Sequence, residues 1–166
     1  MLPENCPEIR RLLLLYFINE VDLLAQFLSV SNQICHQFPT LDIALLLLND
    51  EQYGIYPVHS NINLDCSELS LTPRPSYGSL IDRLQQGSFD AAIVLTAPHQ
   101  SPYSLAYLCY LAKIPIRIGQ SQEFGGGVLS HWIQPPASRI SIEDYNRHLL
   151  QFADFLSAAN APLAIA

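Results

Sequence analysis

Three short apolar runs, Arg11–Ile18, Leu41–Leu48 and Phe89–Thr96, stand out along the chain because hydrophobic and polar residues do not alternate within them. Alternation marks a strand with one wet face. An unbroken apolar run of strand length marks a strand covered on both faces, as in a parallel sheet between two helical layers. The runs are separated by stretches of a different period. From Val21 or Asp22 to about Gln37, Leu23, Leu24, Phe27, Leu28, Ile34 and Cys35 fall on one helical stripe. Phe38-Pro39-Thr40 ends that helix, since a residue before proline is biased away from helical geometry. Tyr77–Gln86 is predicted helical, with Leu80, Ile81 and Leu84 on one side and Gly87 as its cap.

The clearest unit spans Ser88–Gly119. After the strand Phe89–Thr96 comes Ala97-Pro-His-Gln100, then Ser101-Pro102 as a helix start, with serine capping and proline at the first turn. Leu105, Leu108, Leu111 and Ala112 recur at helical spacing, and Ile114–Ile118 is a second strand closed by Gly119. Strand, helix, strand within about thirty residues is a βαβ unit with parallel strands and a right-handed crossover. The loop Ala97–Gln100 then lies at the carboxyl end of a strand and the amino end of a helix, where open α/β sheets place ligands.

The remaining segments are less regular. Residues 1–9 form a loose arm, Asn49–Gly54 a turn, Leu64–Leu69 a third strand, and Pro73 and Pro75 a surface loop. Gln120–Gly127 is polar and ends in three glycines. Val128–Ile133 fits either an edge strand or a turn of helix. Ser141 with Asp144 three positions later resembles a capping box and opens the last helix. Tyr145, His148, Leu149, Phe152, Phe155, Leu156 and Ala159 share its broad apolar face, and residues 160–166 are a tail. The alternation of strands and helices predicts one doubly wound α/β domain over 1–166 with a mostly parallel sheet.

Composition narrows the classes of function. The chain has 166 residues, a net charge of −7, and 49% hydrophobic against 14% charged residues. No basic cluster exceeds Arg10–Arg11, so nucleic acid is not an expected partner. So large an apolar share predicts a surface that meets another domain, chain or membrane. Leu12–Ile18 is too short to span a bilayer. Cys6, Cys35, Cys66 and Cys109 form no Cys-x-x-Cys pair and predict reduced thiols in a cytoplasmic protein, with peripheral contact at the inner face of a membrane as a second location. Neither a metal nor a cofactor is expected. A nucleophile elbow, a dinucleotide-binding glycine pattern and a phosphate-loop lysine are all missing from the sequence.

The strand Phe89-Asp-Ala-Ala-Ile-Val-Leu, a loop, and the helix ending Leu-Ala-Lys-Ile-Pro-Ile-Arg-Ile-Gly119 together resemble the amino-terminal half of the heptosyltransferases, glycosyltransferase family 9. Pro115, Arg117 and Gly119 occupy the positions of that family's strand ending. Phe38-Pro39 before a strand and His148 in a leucine-rich final helix resemble further family features. The resemblance implies a Rossmann-like lobe of the two-domain GT-B fold, the one that binds the sugar acceptor. The family's aspartate after the first strand, its proposed base, corresponds to Asp22. Its preceding glycine is here Val21, which does not offer glycine's backbone freedom. The donor-binding second domain has no counterpart in this sequence, so the expected lobe needs a donor-binding partner and is not catalytic alone. A saccharide or lipid-linked acceptor is the implied substrate. The alternative is a degenerate, non-catalytic module serving protein interaction or assembly.

Each candidate residue carries two readings. Asp22 is a base toward a sugar hydroxyl, or a residue favouring the first helical turn. Asn19 and Glu20 beside it are substrate contacts or solvated turn residues. His99, Gln100 and Ser101 bind an anion or sugar, or simply cap a helix. Arg117 pairs with a ligand phosphate or carboxylate, or with a structural partner. Gly125, Gly126 and Gly127 form an anion-binding nest or a flexible loop. His131 and Trp132 stack on a sugar, or cover a sheet edge. Tyr103, Tyr107 and Tyr110 are expected to be packing residues on one helix.

Overall fold

The computed structural model describes residues 8–18, 21–58 and 70–152. Within them lie β1 (Arg11–Phe17), α1 (Val21–Gln37), β2 (Asp42–Leu48), β3 (Gln52–Val58), β4 (Thr72–Pro73), α2 (Tyr77–Gln86), β5 (Ala91–Leu95), α3 (Tyr103–Leu111), β6 (Ile116–Gln120), a 3-10 turn (Gly126–Val128), β7 (His131–Ile133) and α4 (Ile142–Phe152). The strands join in one sheet of order β4-β3-β2-β1-β5-β6-β7. β2-β1-β5-β6-β7 run parallel, whereas β3 and β4 are antiparallel to their neighbours. The fold is therefore α/β with a mostly parallel, Rossmann-like sheet.

The unbroken apolar runs have a simple cause. In β1, Leu12, Leu14 and Tyr16 enter one core and Leu13 and Leu15 the other, all at most 1% exposed. β2 and β5 divide their residues in the same way. α1 and α4 contribute to the first core and pack on each other; α2 and α3 contribute to the second. Tyr16 stacks on Phe27 to fix α1 over β1. The chain runs from β1 toward β2 through α1, then returns to the other side of β1 as β5. The strand order reverses between β1 and β5, and parallel α/β sheets open a crevice at such a reversal.

The amino ends of the central strands are tied by charge. Asp90 Oδ2 accepts both the Arg10 and the Arg11 main-chain N–H at 2.9 Å. Arg11 Nε donates to Asp42 at 2.9 Å, its guanidinium also donates to the Gly87 carbonyl, and its centre lies 5.1 Å from the Phe89 ring. The opposite, carboxyl ends are left for the loops that form the cleft.

Several expected elements are corrected. The turn placed at Asn49–Gly54 is shorter, and Gln52 already begins β3. Asn49 Oδ1 accepts the N–H groups of Glu51 and Gln52 at 2.9 and 2.7 Å, which closes a β2–β3 hairpin. Gly54 and Pro57 within β3 hide it from a reading by apolar runs, since both residues weaken a strand signal. Pro73 belongs to the edge strand β4 rather than a free loop. Val128–Ile133 divides between the 3-10 turn and β7, and Gly119 lies inside β6 rather than after it. Gly87 does end α2, but in right-handed geometry at φ −64°; Ser88 takes the left-handed turn at φ 50°. The expected strand Leu64–Leu69, the arm over 1–7, and Phe155, Leu156, Ala159 and the tail lie outside the described residues.

Candidate functional site

A cleft of about 740 Å³ opens at the carboxyl ends of β5 and β6. Three segments wall it: Pro98–Ser101 after β5, Ser121–Glu123 after β6, and Pro135–Ile140 between β7 and α4, with Tyr145 of α4 closing the inner side.

The first wall is a preformed turn. Gln100 N donates to the Ala97 carbonyl at 3.0 Å, and Gln100 Oε1 accepts the Ala97 N–H at 3.0 Å. This double clasp holds His99 at the exposed tip with φ 68°. Pro102, not Ser101, is the N-cap of α3, and no side-chain bond caps the helix; Ser101 Oγ, one residue further out, accepts the Tyr103 N–H at 3.3 Å.

Ser121 builds the second wall with all of its groups. Its N–H donates to Ile133 at 3.1 Å, its Oγ accepts the Glu123 N–H at 3.0 Å, and its carbonyl accepts Trp132 Nε1 at 2.9 Å. Trp132 is 40% exposed and stands edge-on to Phe124, which is 76% exposed, with ring centres 6.2 Å apart. This aromatic pair lies beside the cleft, next in chain to Glu123.

The third wall is anchored by α4. Ser141 Oγ accepts the Asp144 N–H at 3.1 Å and donates to Asp144 Oδ2 at 3.0 Å, a reciprocal cap. His148 Nε2 lies 3.1 Å from the Gln134 carbonyl and steadies the segment that precedes the wall. Two buried amides fasten α4 to the strand ends: Gln120 Nε2 donates to the Tyr145 carbonyl at 2.7 Å, and Asn146 Nδ2 donates to the Thr96 and Ile142 carbonyls at 3.1 and 2.9 Å. Thr96, Gln120 and Asn146 are all at most 2% exposed. Burial raises the Tyr145 phenol above its usual pKa, and the nearby Thr96 hydroxyl opposes part of that rise. The phenol thus stays a neutral O–H at the cleft wall.

The structure brings His99, Gln100 and Ser101 together in the cleft and keeps other predicted residues away from it. Arg117 sits near the amino end of β6. Its guanidinium donates to the carbonyls of Val128 at 2.7 Å, Ile114 at 2.6 Å, Pro115 at 3.2 Å and Gly127 at 3.1 Å. Those bonds make it a clamp on the 3-10 turn. The glycines have structural roles as well. A Cβ on Gly125 would lie 2.0 Å from the Tyr103 ring, and Gly126 has φ +66°, while Gly127 faces open space. His131 lies in β7 with Nδ1 2.9 Å from Ser130 Oγ; partial burial, and then the Arg117 charge, hold its pKa below 6.5. Asp22 is the second residue of α1, which starts at the same end of the sheet as the cleft. Asn19 and Glu20 lie outside the described residues. Of the tyrosines expected to pack on one helix, Tyr103 is partly buried, and Tyr107 and Tyr110 are about half exposed.

Compared with known protein families and with curated proteins, the chain matches none. The described residues contain no cluster of three or more histidine, cysteine or acidic side chains able to hold a metal. Among them, no helix is long and apolar enough to cross a membrane.

Sequence reading missed Ser121, Gln122, Glu123, the Pro135–Ile140 wall, Tyr145 and the buried trio beneath them. Gln120 carried a usable signal, a polar residue at the end of the apolar strand β6. Thr96 carried one too, at the end of an apolar strand, whereas Asn146, among Glu143, Asp144, Arg147 and His148, carried none. Such residues are buried only where partners await them.

Proposed function

We propose that this chain is a saccharide-binding lobe of the acceptor-side type found in two-lobed glycosyltransferases, active in sugar transfer only beside a donor-binding lobe. The observation that carries the reading is the cleft at the carboxyl ends of parallel strands, walled by hydroxyls, amides, the His99 imidazole, one carboxylate, Glu123, and one guanidinium, Arg139. Phe124 and Trp132 add the flat apolar surface on which a sugar ring face stacks. Asp22 is the base: at the rim of β1 it would take the proton of the acceptor hydroxyl as that oxygen attacks the donor's anomeric carbon and the nucleoside diphosphate leaves. Stabilising that leaving diphosphate falls to the partner lobe, since the cleft offers no basic, glycine-rich pocket of its own.

The test is reconstitution. The chain, mixed with a donor-binding lobe and a nucleotide sugar, turns over an acceptor saccharide, and Asp22→Asn abolishes turnover while acceptor binding survives. Absence of both turnover and saccharide binding overturns the proposal. Exposed Tyr107, Tyr110 and Leu111 on α3 favour a second reading, a non-catalytic assembly module. A monodisperse monomer at every concentration, alone and with the donor lobe, speaks against it.

A further inference from the structure

All the arginines of the chain lie within the described residues, and every one but Arg139 has a partner there. Arg10, Arg11 and Arg147 pair with Glu8, Asp42 and Asp144. Arg74 donates to the Asn49 carbonyl, Arg83 to the Tyr53 hydroxyl, and Arg117 to its four carbonyls. Arg139 makes no hydrogen bond, ion pair or ring contact with any described residue, and it lines the cleft. This happens in a chain where acidic side chains outnumber basic ones by 15 to 8, so partners for a guanidinium are in excess. The cleft also holds one carboxylate, Glu123, and the two opposite charges form no ion pair. They stand on separate walls, Glu123 after β6 and Arg139 before α4. The main chain of Glu123 is fixed on both sides, its N–H on Ser121 Oγ at 3.0 Å and its carbonyl on the Tyr103 hydroxyl, while its carboxylate has no partner among the described residues.

Both side chains are exposed, so water solvates them in the empty cleft at no cost to the fold. A ligand that enters displaces part of that water, and its own charges then decide the balance. A neutral sugar compensates neither pole. An anion gains at Arg139 and is opposed by Glu123. A ligand with an acid group at one end and an ammonium at the other compensates both. We propose that Arg139 and Glu123 are the two poles of this cleft and that its ligand is an amino sugar that also carries an acid group, phosphate or carboxylate. The guanidinium fork takes two oxygens of the acid group side by side, and the Glu123 carboxylate accepts the ammonium. The proposal rests on the saccharide reading for the sugar ring and deepens it by naming the charges on that ring; it needs no sugar transfer.

The experiment is a calorimetric titration of the whole chain at neutral pH with D-glucosamine 6-phosphate, D-glucose 6-phosphate, D-glucosamine and D-glucose. These four carry both charges, the anion alone, the cation alone and neither. Glucosamine 6-phosphate is expected to bind tightest, each singly charged sugar about fivefold more weakly, and glucose weakest of all. Muramic acid, with a carboxylate in place of the phosphate, is expected to bind more tightly than glucosamine, and its rank against glucosamine 6-phosphate names the preferred acid group. Arg139→Gln is expected to erase the advantage of the phosphorylated sugars and keep that of the amino sugars; Glu123→Gln is expected to do the reverse. Added salt is expected to shrink both advantages. Glucose 6-phosphate or glucosamine binding as tightly as glucosamine 6-phosphate, or either variant keeping both advantages, overturns the proposal. Neither substitution removes an internal side-chain bond, and should a variant fail to fold, the comparison of ligands on the unaltered chain still decides. Equal binding of all four sugars refutes the two poles and leaves the saccharide reading standing. Binding of none refutes both. The full order of affinities without reconstituted turnover refutes the transfer reading and not this one.

Discussion

The Arg117 guanidinium lies 5.3 Å from the centre of the Tyr110 ring while its N–H groups reach four main-chain carbonyls. One side chain therefore joins α3, the start of β6 and the 3-10 turn. Only a planar fork satisfies carbonyls on that many sides at once, and a lysine ammonium is a point donor on a flexible stem. Arg117→Ala is expected to lower stability by about 2 kcal/mol, with Arg117→Lys recovering less than half of the loss. Urea unfolding of the three proteins measures this, and a midpoint for the lysine variant equal to the parent's would refute the fork argument.

The three consecutive glycines are expected to separate by cause. Gly125→Ala drives a methyl into the Tyr103 ring, whose hydroxyl is held by the Glu123 carbonyl and cannot swing freely. Gly126→Ala forces a side chain into left-handed backbone, a cost of about 1–2 kcal/mol. Gly127→Ala meets open space at ordinary φ and is expected to be neutral or slightly stabilising. Thermal unfolding of the three variants gives the ranking. Equal losses at all three positions would instead point to a nest whose backbone geometry is needed as a unit.

The doubly covered strands were legible in the sequence because burial on both faces leaves one pattern only, an unbroken apolar run. Leu12–Tyr16 and Ile43–Leu48 are such runs. β3 was not, because an antiparallel strand near a sheet edge tolerates Gly54, Pro57 and half-buried tyrosine. The site was half legible for a related reason. His99–Ser101 follow the grammar of a βα loop, which is local. The Pro135–Ile140 wall reaches the cleft only because Asn146 and Gln120 latch α4 over the strand ends, a contact between residues 50 and 25 positions apart in sequence. Arg117 was open to two readings in the sequence, a ligand contact or a structural partner, because its carbonyl partners are set by tertiary packing.

His131 makes the fold sensitive to mild acid. Partial burial and the Arg117 charge disfavour its protonated form, so the folded pKa lies below the unfolded 6.5. In the window between the two values the unfolded chain binds more protons, and stability rises with pH. The penalty is complete below the folded pKa and absent once pH exceeds about 6.5. His131→Gln is expected to flatten this part of the stability–pH curve between pH 5 and 7 and to leave pH 8 nearly unchanged. Arg117→Ala removes one of the two causes and is expected to move the His131 titration upward in proton NMR. An unchanged midpoint there would show that burial alone sets it.

Cys35 and Cys109 are free thiols buried in different cores. Burial pushes Cys35 up to about 11 and Cys109 up to about 12, the latter against the opposing Arg117 charge and a backbone hydrogen bond. Alkylation proceeds through the thiolate, and at pH 8 roughly one Cys35 in a thousand is ionised, and fewer of Cys109. Both are expected to escape iodoacetamide in the folded chain and to react fully in guanidinium, with peptide mapping separating them from the other two cysteines. Native labelling, where it occurs slowly, then reports opening of the helix that carries each thiol. Cys109 is fully buried on α3. In Arg117→Ala that helix loses its tie to the 3-10 turn, so Cys109 labelling is expected to accelerate while Cys35, in the α1 core on the other face of the sheet, keeps its rate. Parallel acceleration of both would mean that the two faces of the sheet open together, and that the clamp guards the whole lobe rather than one layer of it.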